Sequence, residues 1–371
     1  MGIVRTDDSR RAEFEEFRRM LLATAAVHRR KGQEEEEEGN RRKRIGLRKI
    51  DDDDDDDGEG KMVCVTSGVS FLGLAIVNQL LVRGYSVRVI VYNEEEVEKL
   101  REMETSGVMR GANNNARAFM ANLNEVQSLV DAFDGCRGVF HTSSLADPAG
   151  LSGYSKWMAE IEVKASENVL EACARTPSVR KCVLTSSLLA CIWRDRSLSD
   201  LSSVINHDCW SDESICIEKK LWYALGKLKA EKTAWRVAEQ RGLKLTTICP
   251  GLITGPEFCR RNSTPTIAYL KGAQDMYADG LLATVDVIKL AEAHVCVYEA
   301  MGDTASGRYI CFDRVIRRED EVENLAQEIG MLTNRISENA PQELMTTRFE
   351  LSNRKLSSLM LSTMRRCYNE S

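Results

Sequence analysis

From Lys61 onward, short apolar runs alternate with longer stretches of helical periodicity, a rhythm that few folds accommodate. Residues 62–66 form a brief apolar run, 71–83 set Leu72, Ile76, Leu80 and Leu81 at helical spacing, and 86–92 are rich in valine. The order continues with strands expected at 116–121, 138–142, 181–187 and 244–249, separated by helices at 124–133, 161–175 and 221–240. Strands joined by helices pair in parallel and are covered on both faces. The expected fold class is therefore α/β, a doubly wound parallel sheet of Rossmann type. Beyond Pro250 the rhythm breaks, with 257–280 irregular, 284–301 helical, 307–312 a strand and 317–330 a helix. Segments 194–220, 257–282 and 313–371 are left over for a smaller domain, and no internal repeat is present.

Between the first strand and its helix sits Thr66-Ser67-Gly68-Val69-Ser70-Phe71-Leu72-Gly73. In such a position backbone N–H groups and the positive end of a helix dipole can hold a dinucleotide pyrophosphate. Two glycines make a weak fingerprint, but the strand before and the helix and strand after are what a βαβ unit requires. A second feature lies at Tyr223 and Lys227, four apart in a proline-free stretch and so on one helix face. An ammonium beside a phenol favours its anion and lowers its pKa, which lets Tyr223 exchange a proton with a substrate oxygen. On its own the pair reads by default as a surface Tyr and Lys. Upstream, the apolar run from Lys181 ends in Thr185-Ser186-Ser187, and ligands of open α/β sheets sit outside the carboxyl ends of strands. A hydroxyl there can hold a carbonyl oxygen while Tyr223 protonates it.

Composition narrows the partners. The chain carries a formal net charge of −6, of which residues 1–60, with 14 Lys and Arg against 18 Asp and Glu, hold −4. The remainder is nearly neutral, which excludes nucleic acid as a main partner. Within the first sixty residues, 9–31 read as an amphipathic helix with Phe14, Phe17 and Leu21 on one face. The charge blocks after it, including Arg41-Arg42-Lys43-Arg44 and the aspartates of 51–57, read as a disordered linker over 33–60. Twelve cysteines without a Cys-x-x-Cys pair, and four scattered histidines, give no metal site and suggest reduced thiols in the cytoplasm. No apolar run approaches the roughly 18 residues of a membrane span.

The joint pattern resembles the extended short-chain dehydrogenase/reductase family, in particular its plant cinnamoyl-CoA reductase and dihydroflavonol reductase branch, over residues 61–365. The matching stretches are Val63-Cys64-Val65-Thr66 with Phe71-Leu72-Gly73, Gly138 to Ser143, and Asn168-Val169-Leu170-Glu171-Ala172-Cys173. Further along they are Thr185-Ser186-Ser187, Cys209-Trp210-Ser211-Asp212, Trp222-Tyr223 with Gly226-Lys227, and Gly307-Arg308-Tyr309-Ile310. The resemblance implies a catalytic triad of Ser187, Tyr223 and Lys227, and NADP as cofactor with NAD as the other nicotinamide choice. It implies a pyrophosphate cradle at Thr66, Ser67, Gly68, Ser70, Phe71 and Leu72. Further cofactor contacts follow at Asn122, Leu123, Thr142, Ser143, Pro250, Leu252 and Ile253. The implied organisation is an NAD(P)-binding domain over 61–256, with an insertion at 194–220, and a mainly substrate-binding domain over 257–371.

Departures from the family pattern carry expectations of their own. Where relatives have Gly-Ala-Ser-Gly this chain has Ser67-Gly68-Val69-Ser70, and serine tolerates positive φ poorly, so weaker cofactor binding is expected. Tyr92 stands where relatives place an arginine on the adenosine phosphate, which leaves Arg88, four residues earlier, and Lys99 as the expected phosphate partners. Asn122 replaces an aspartate near the adenine. The helix entry reads Leu221-Trp222-Tyr223-Ala224-Leu225-Gly226-Lys227 rather than Asn-Trp-Tyr-Cys-Tyr-Gly-Lys. The implied reaction is hydride transfer from NADPH to the carbonyl of a phenylpropanoid-type CoA thioester, aldehyde or ketone. His207 with Arg260 or Arg261 would be the residues to meet a CoA phosphate. The alternative is a dinucleotide-binding regulatory or scaffold protein with weak or lost catalysis. An NAD-linked epimerase fits less well, because no acid stands at Tyr92 or Asn93 to hold a ribose diol. Monomer and dimer are both compatible with the sequence.

Overall fold

The computed structural model describes residues 61–107, 109, 115–142, 154–195, 203–255, 263–337 and 348–369. The helix and charge blocks expected before residue 61, and Ser143, Arg260 and Arg261, lie outside them. In chain order the strands are β1 (Met62–Val65), β2 (Ser86–Val91), β3 (Ala116–Met120), β4 (Gly138–Thr142), β5 (Lys181–Thr185) and β6 (Val204–Ile205). They continue as β7 (Lys244–Pro250), β8 (Leu252–Thr254), β9 (Ala283–Asp286), β10 (Gly307–Cys311), β11 (Arg314–Val315) and β12 (Glu350–Leu351).

Seven of them form one all-parallel sheet in the order β10-β7-β5-β4-β1-β2-β3. The expected architecture is thus the observed one. Period-two alternation divides the strand residues between two cores. Val63, Val65, Val87, Val89, Val91, Phe140 and Val183 face the helices Phe71–Val82 and Val287–Ala300. Cys64, Ile90, Val139, Cys182 and Leu184 face the helices Val126–Phe133, Lys156–Arg175 and Trp222–Arg241. After β1 the chain builds outward through β2 and β3, then crosses back to place β4 on the other side of β1. Chain segments therefore leave β1 and β4 in opposite directions, and a crevice opens at their carboxyl ends.

The segment expected to be one helix over 284–301 differs. Its start is β9, which pairs with β8 and β11, and the helix begins only at Val287. Asp286 sets the boundary by capping, its carboxylate accepting from the N–H of Ile288 at 2.8 Å and of Lys289 at 3.3 Å. The stretch 257–280, expected to be irregular, contains the short helices Ser263–Tyr269 and Ala273–Ala278, separated by Gly272 at φ 96°. Beyond residue 257 the chain also supplies β10 to the edge of the main sheet, while β6 and β12 tie the 204–205 segment to 350–351.

Two buried histidines give the fold a measurable response to acid. His141 on β4 lies between Thr66 Oγ1 at 3.0 Å and Ser166 Oγ at 3.2 Å, and His294 between Thr185 Oγ1 at 2.8 Å and the Leu290 carbonyl at 2.7 Å. Burial and then the Lys227 charge push His141 down to about 3, and burial pushes His294 down to about 4. Both remain neutral in the fold while an unfolded chain would protonate them below about pH 6.5, so the unfolded state binds more protons and stability falls with pH. Each should withdraw up to about 1.4 kcal/mol per pH unit in that window. Urea midpoints measured from about pH 7.5 down to about pH 5 should decline accordingly, and a flat series would contradict this assignment.

Candidate active site

The loop after β1 takes its shape from close packing. Ser70 caps the helix Phe71–Val82 by accepting from Gly73 N at 3.1 Å, and its hydroxyl donates to the Ser67 carbonyl at 2.7 Å. A Cβ at Gly73 would stand 1.9 Å from the Ser67 carbonyl oxygen, and one at Gly68 would stand 2.5 Å from Val89. Glycine is required at both places for lack of room. Ser70 itself sits at φ −75°, and Lys220 is the one non-glycine with positive φ among the described residues. The expectation that Ser67 and Ser70 suffer from a positive φ is therefore corrected, because the turn is made without one and Ser70 serves as the cap.

At the carboxyl edge of the sheet, one cleft is lined by Ser70, Phe71 and Leu72 on one side and by Ser187, Tyr223 and Lys227 on the other. Thr142, Pro250, Leu252 and Ile253 complete the expected residues that it gathers. Ser186, Thr266 and Tyr269 join them. Ser187 accepts from Leu189 N at 3.2 Å, which turns its hydroxyl where the chain leaves β5. Lys227 Nζ lies 5.6 Å from the centre of the Tyr223 ring.

Charges beneath this cleft revise the expected effect of Lys227. Burial pushes the Tyr223 phenol up, Lys227 pulls it down, and Glu162 pushes it up again, with a net rise rather than the expected fall. Burial pulls the Lys227 ammonium down, but Glu162 and Tyr223 outweigh it and leave its pKa raised. Glu162 Oε1 stands 2.6 Å from Lys227 Nζ, and its other carboxylate oxygen receives the Tyr154 hydroxyl.

A second buried carboxylate supports the strand ends. Glu231 accepts from Ser186 Oγ at 2.7 Å, Thr247 Oγ1 at 2.6 Å, and Arg308 Nε at 2.7 Å. The same guanidinium donates to the carbonyls of His207 at 3.0 Å and Cys209 at 2.5 Å and stacks 3.5 Å from the Trp210 ring. Sequence reasoning missed Glu162, Tyr154 and the Glu231–Arg308 pair. One signal for Glu162 was legible: it lies at helical spacing with Ala159, Ala165, Ser166 and Val169, an otherwise inward-facing set.

Other expected cofactor residues stand apart from the cleft. Arg88 is corrected: its guanidinium donates to the carbonyls of Ala132 at 2.6 Å and Asp134 at 2.8 Å and lies over the Phe119 ring, at the opposite end of the strands. Four residues along a strand span about 13 Å, so sharing a face with Tyr92 does not bring it near. Tyr92 is exposed, and Lys99 lies exposed on the helix Glu94–Thr105. Thr66 Oγ1 is engaged by His141 rather than turned to the cleft. Asn122 is exposed and accepts from Asn124 N at 3.0 Å, while Leu123 belongs to the core. His207 keeps a partly exposed imidazole 3.6 Å from Asp208.

The residues present fit a dinucleotide. Thr142 Oγ1, buried at the end of β4 beside the crevice, has no hydrogen-bond partner among the described residues, and the loop opposite it is drawn tight by Gly68 and Gly73. Residues 64–313 match the family model described as 3-beta hydroxysteroid dehydrogenase/isomerase. The chain belongs to that family. With it comes the coarser activity, an NAD(P)-dependent oxidoreductase of the extended short-chain type acting on a small molecule. Cinnamoyl-CoA reductase 1 of Petunia hybrida is 36% identical over 274 residues, covering 72% of this chain and 78% of that protein, in keeping with the resemblance read from the motifs. Two solved structures share the fold. Vestitone reductase from alfalfa has a TM-score of 0.58 at 24% identity, over 83% of this chain and 98% of its own. Yeast methylglyoxal/isovaleraldehyde reductase Gre2, solved with NADPH, has a TM-score of 0.60 at 20% identity, over 81% and 92%. Among the described residues no helix is long and apolar enough to cross a membrane.

Proposed function

We propose that this protein is a cytoplasmic NADPH-dependent reductase acting on the carbonyl of a phenylpropanoid-type CoA thioester, aldehyde or ketone. The observation that carries the reading is the convergence of Ser187, Tyr223 and Lys227 on one cleft whose far wall is the helix entry Ser70–Leu72. The Petunia relative's name supports the substrate class, and the yeast structure's bound NADPH supports the cofactor. When bound, NADPH supplies the hydride. The Ser187 hydroxyl holds the substrate carbonyl oxygen, and Tyr223 donates its proton to that oxygen as negative charge builds on it. A phenol kept protonated by burial suits this direction of reaction. Lys227 orients the phenol and offers its ammonium toward the ribose, and Thr142 Oγ1 provides a hydrogen bond that no partner among the described residues satisfies. An aldehyde or ketone leaves as the alcohol; a thioester loses its CoA thiol and leaves as the aldehyde.

The test is NADPH and NADH titration of the full chain, followed by nucleotide consumption with hydroxycinnamoyl-CoA thioesters and the corresponding aldehydes and ketones. Tighter NADPH binding and turnover of at least one class are expected. Binding without turnover across the panel would favour a regulatory or scaffold role, and binding of neither nucleotide would overturn the reading.

A further inference from the structure

The ion pair between the helices Lys156–Arg175 and Trp222–Arg241 is a feature that reduction as outlined does not require. Both partners are buried, the side chains of Lys227 and Glu162 being 4% and 2% exposed at a separation of 2.6 Å. Gly226 lets the helices meet there, since a Cβ would stand 2.9 Å from Tyr154 Oη and 3.1 Å from Ala159 Cα. Tyr154 donates to Glu162 and sets its ring edge-on to Tyr223, with centroids 5.0 Å apart. Carboxylate, ammonium and phenol thus form one contiguous group in a low-dielectric pocket, where each charge acts strongly on the next.

We propose that Glu162, oriented by Tyr154, is a positioning residue that holds the Lys227 ammonium beside Tyr223 and governs the pH range over which that phenol keeps its proton. The inference rests on reading Tyr223 as the proton donor. Among the described residues, the charges acting on Tyr223 are Lys227 and Glu162. Around them stand His141 of β4, kept neutral by burial, Tyr154 and Tyr269, and Glu231, whose charge is met by Arg308. In Glu162→Gln the amide oxygen can still accept from the Lys227 ammonium, so the negative charge leaves while the ammonium stays, and Lys227 alone favours the phenolate. Tyr223 should then ionise at lower pH, and reduction should lose its donor at lower pH.

Two readouts on the full chain test this with Glu162→Gln. The first is tyrosinate absorbance against pH, with the Tyr223 component isolated by comparison with Tyr223→Phe in each background. The second is the basic limb of the reduction rate. Both should move down by about one pH unit or more, roughly a tenfold loss of rate on that limb. An unmoved Tyr223 titration in folded Glu162→Gln overturns the proposal. Should that variant fail to fold, Glu162→Asp, which keeps the charge but draws it back from Lys227, should show a smaller shift in the same direction, and no shift again overturns it. Absence of carbonyl turnover in the wild type would count against the reductase reading alone, since the tyrosinate titration needs no substrate and still decides the part played by Glu162.

Discussion

In Tyr223→Phe, carbonyl reduction should fall by roughly 10²–10⁴-fold while NADPH affinity changes little. The substitution removes one hydroxyl and leaves the ring, which is half-buried and packs edge-on against Tyr154, so the helix and the Glu162–Lys227 pair keep their places. Without the phenol, negative charge growing on the substrate oxygen meets only Ser187, and the proton must come from water. The comparison is steady-state turnover on the best substrate of the panel, with nucleotide binding measured in parallel. Turnover that survives unchanged would remove Tyr223 from the mechanism.

The second large effect is on stability. Glu231→Ala should cost about 3–5 kcal/mol, because it strands the Arg308 guanidinium in a buried site and leaves Ser186 and Thr247 without their acceptor. Glu231 is fully buried and Arg308 nearly so, which is where breaking one side of a pair is most damaging. A melting temperature lower by roughly 5–10 °C is expected. Turnover should suffer as well, since Ser186 precedes Ser187 and Arg308 also holds the 207–210 segment against the sheet. In Glu231→Met with Arg308→Met, both charges leave together, and the loss should be smaller than the sum of the single losses. A single-variant loss below about 1 kcal/mol would show that water reaches the pair and relieves it.

Much of this protein is written in local pattern. The parallel sheet followed from alternating runs, because side chains two apart on a strand and three or four apart on a helix must share a face. The meeting of Ser187 with Tyr223 and Lys227 was legible for a related reason. One residue lies just past a strand end and the other two lie one turn apart at a helix start, and in a doubly wound sheet both places border the same crevice. Asp286 marks the limit of local pattern, since the strand Ala283–Asp286 and the helix after it read as one helical stretch although the carboxylate that caps their boundary is visible in the sequence.

Other features were decided only in three dimensions, where distance and desolvation enter. Arg88 shares a face with Tyr92 but sits too far down its strand, and carbonyls at the end of the helix Val126–Phe133 claim it. Ser67 and Ser70 fit the loop because its turn needs no positive φ, a backbone choice that residue identity does not reveal. The rise of the Tyr223 pKa where the sequence implied a fall comes from burial and from Glu162, which is 61 positions away in the chain and reaches Lys227 only because Gly226 admits the neighbouring helix. What the sequence alone determined was therefore the scaffold and the placing of Ser187, Tyr223 and Lys227 on one cleft, through short-range periodicity. Their protonation was left to the tertiary structure, because the energy of a charge depends on the solvent it has lost and on partners brought from elsewhere in the chain.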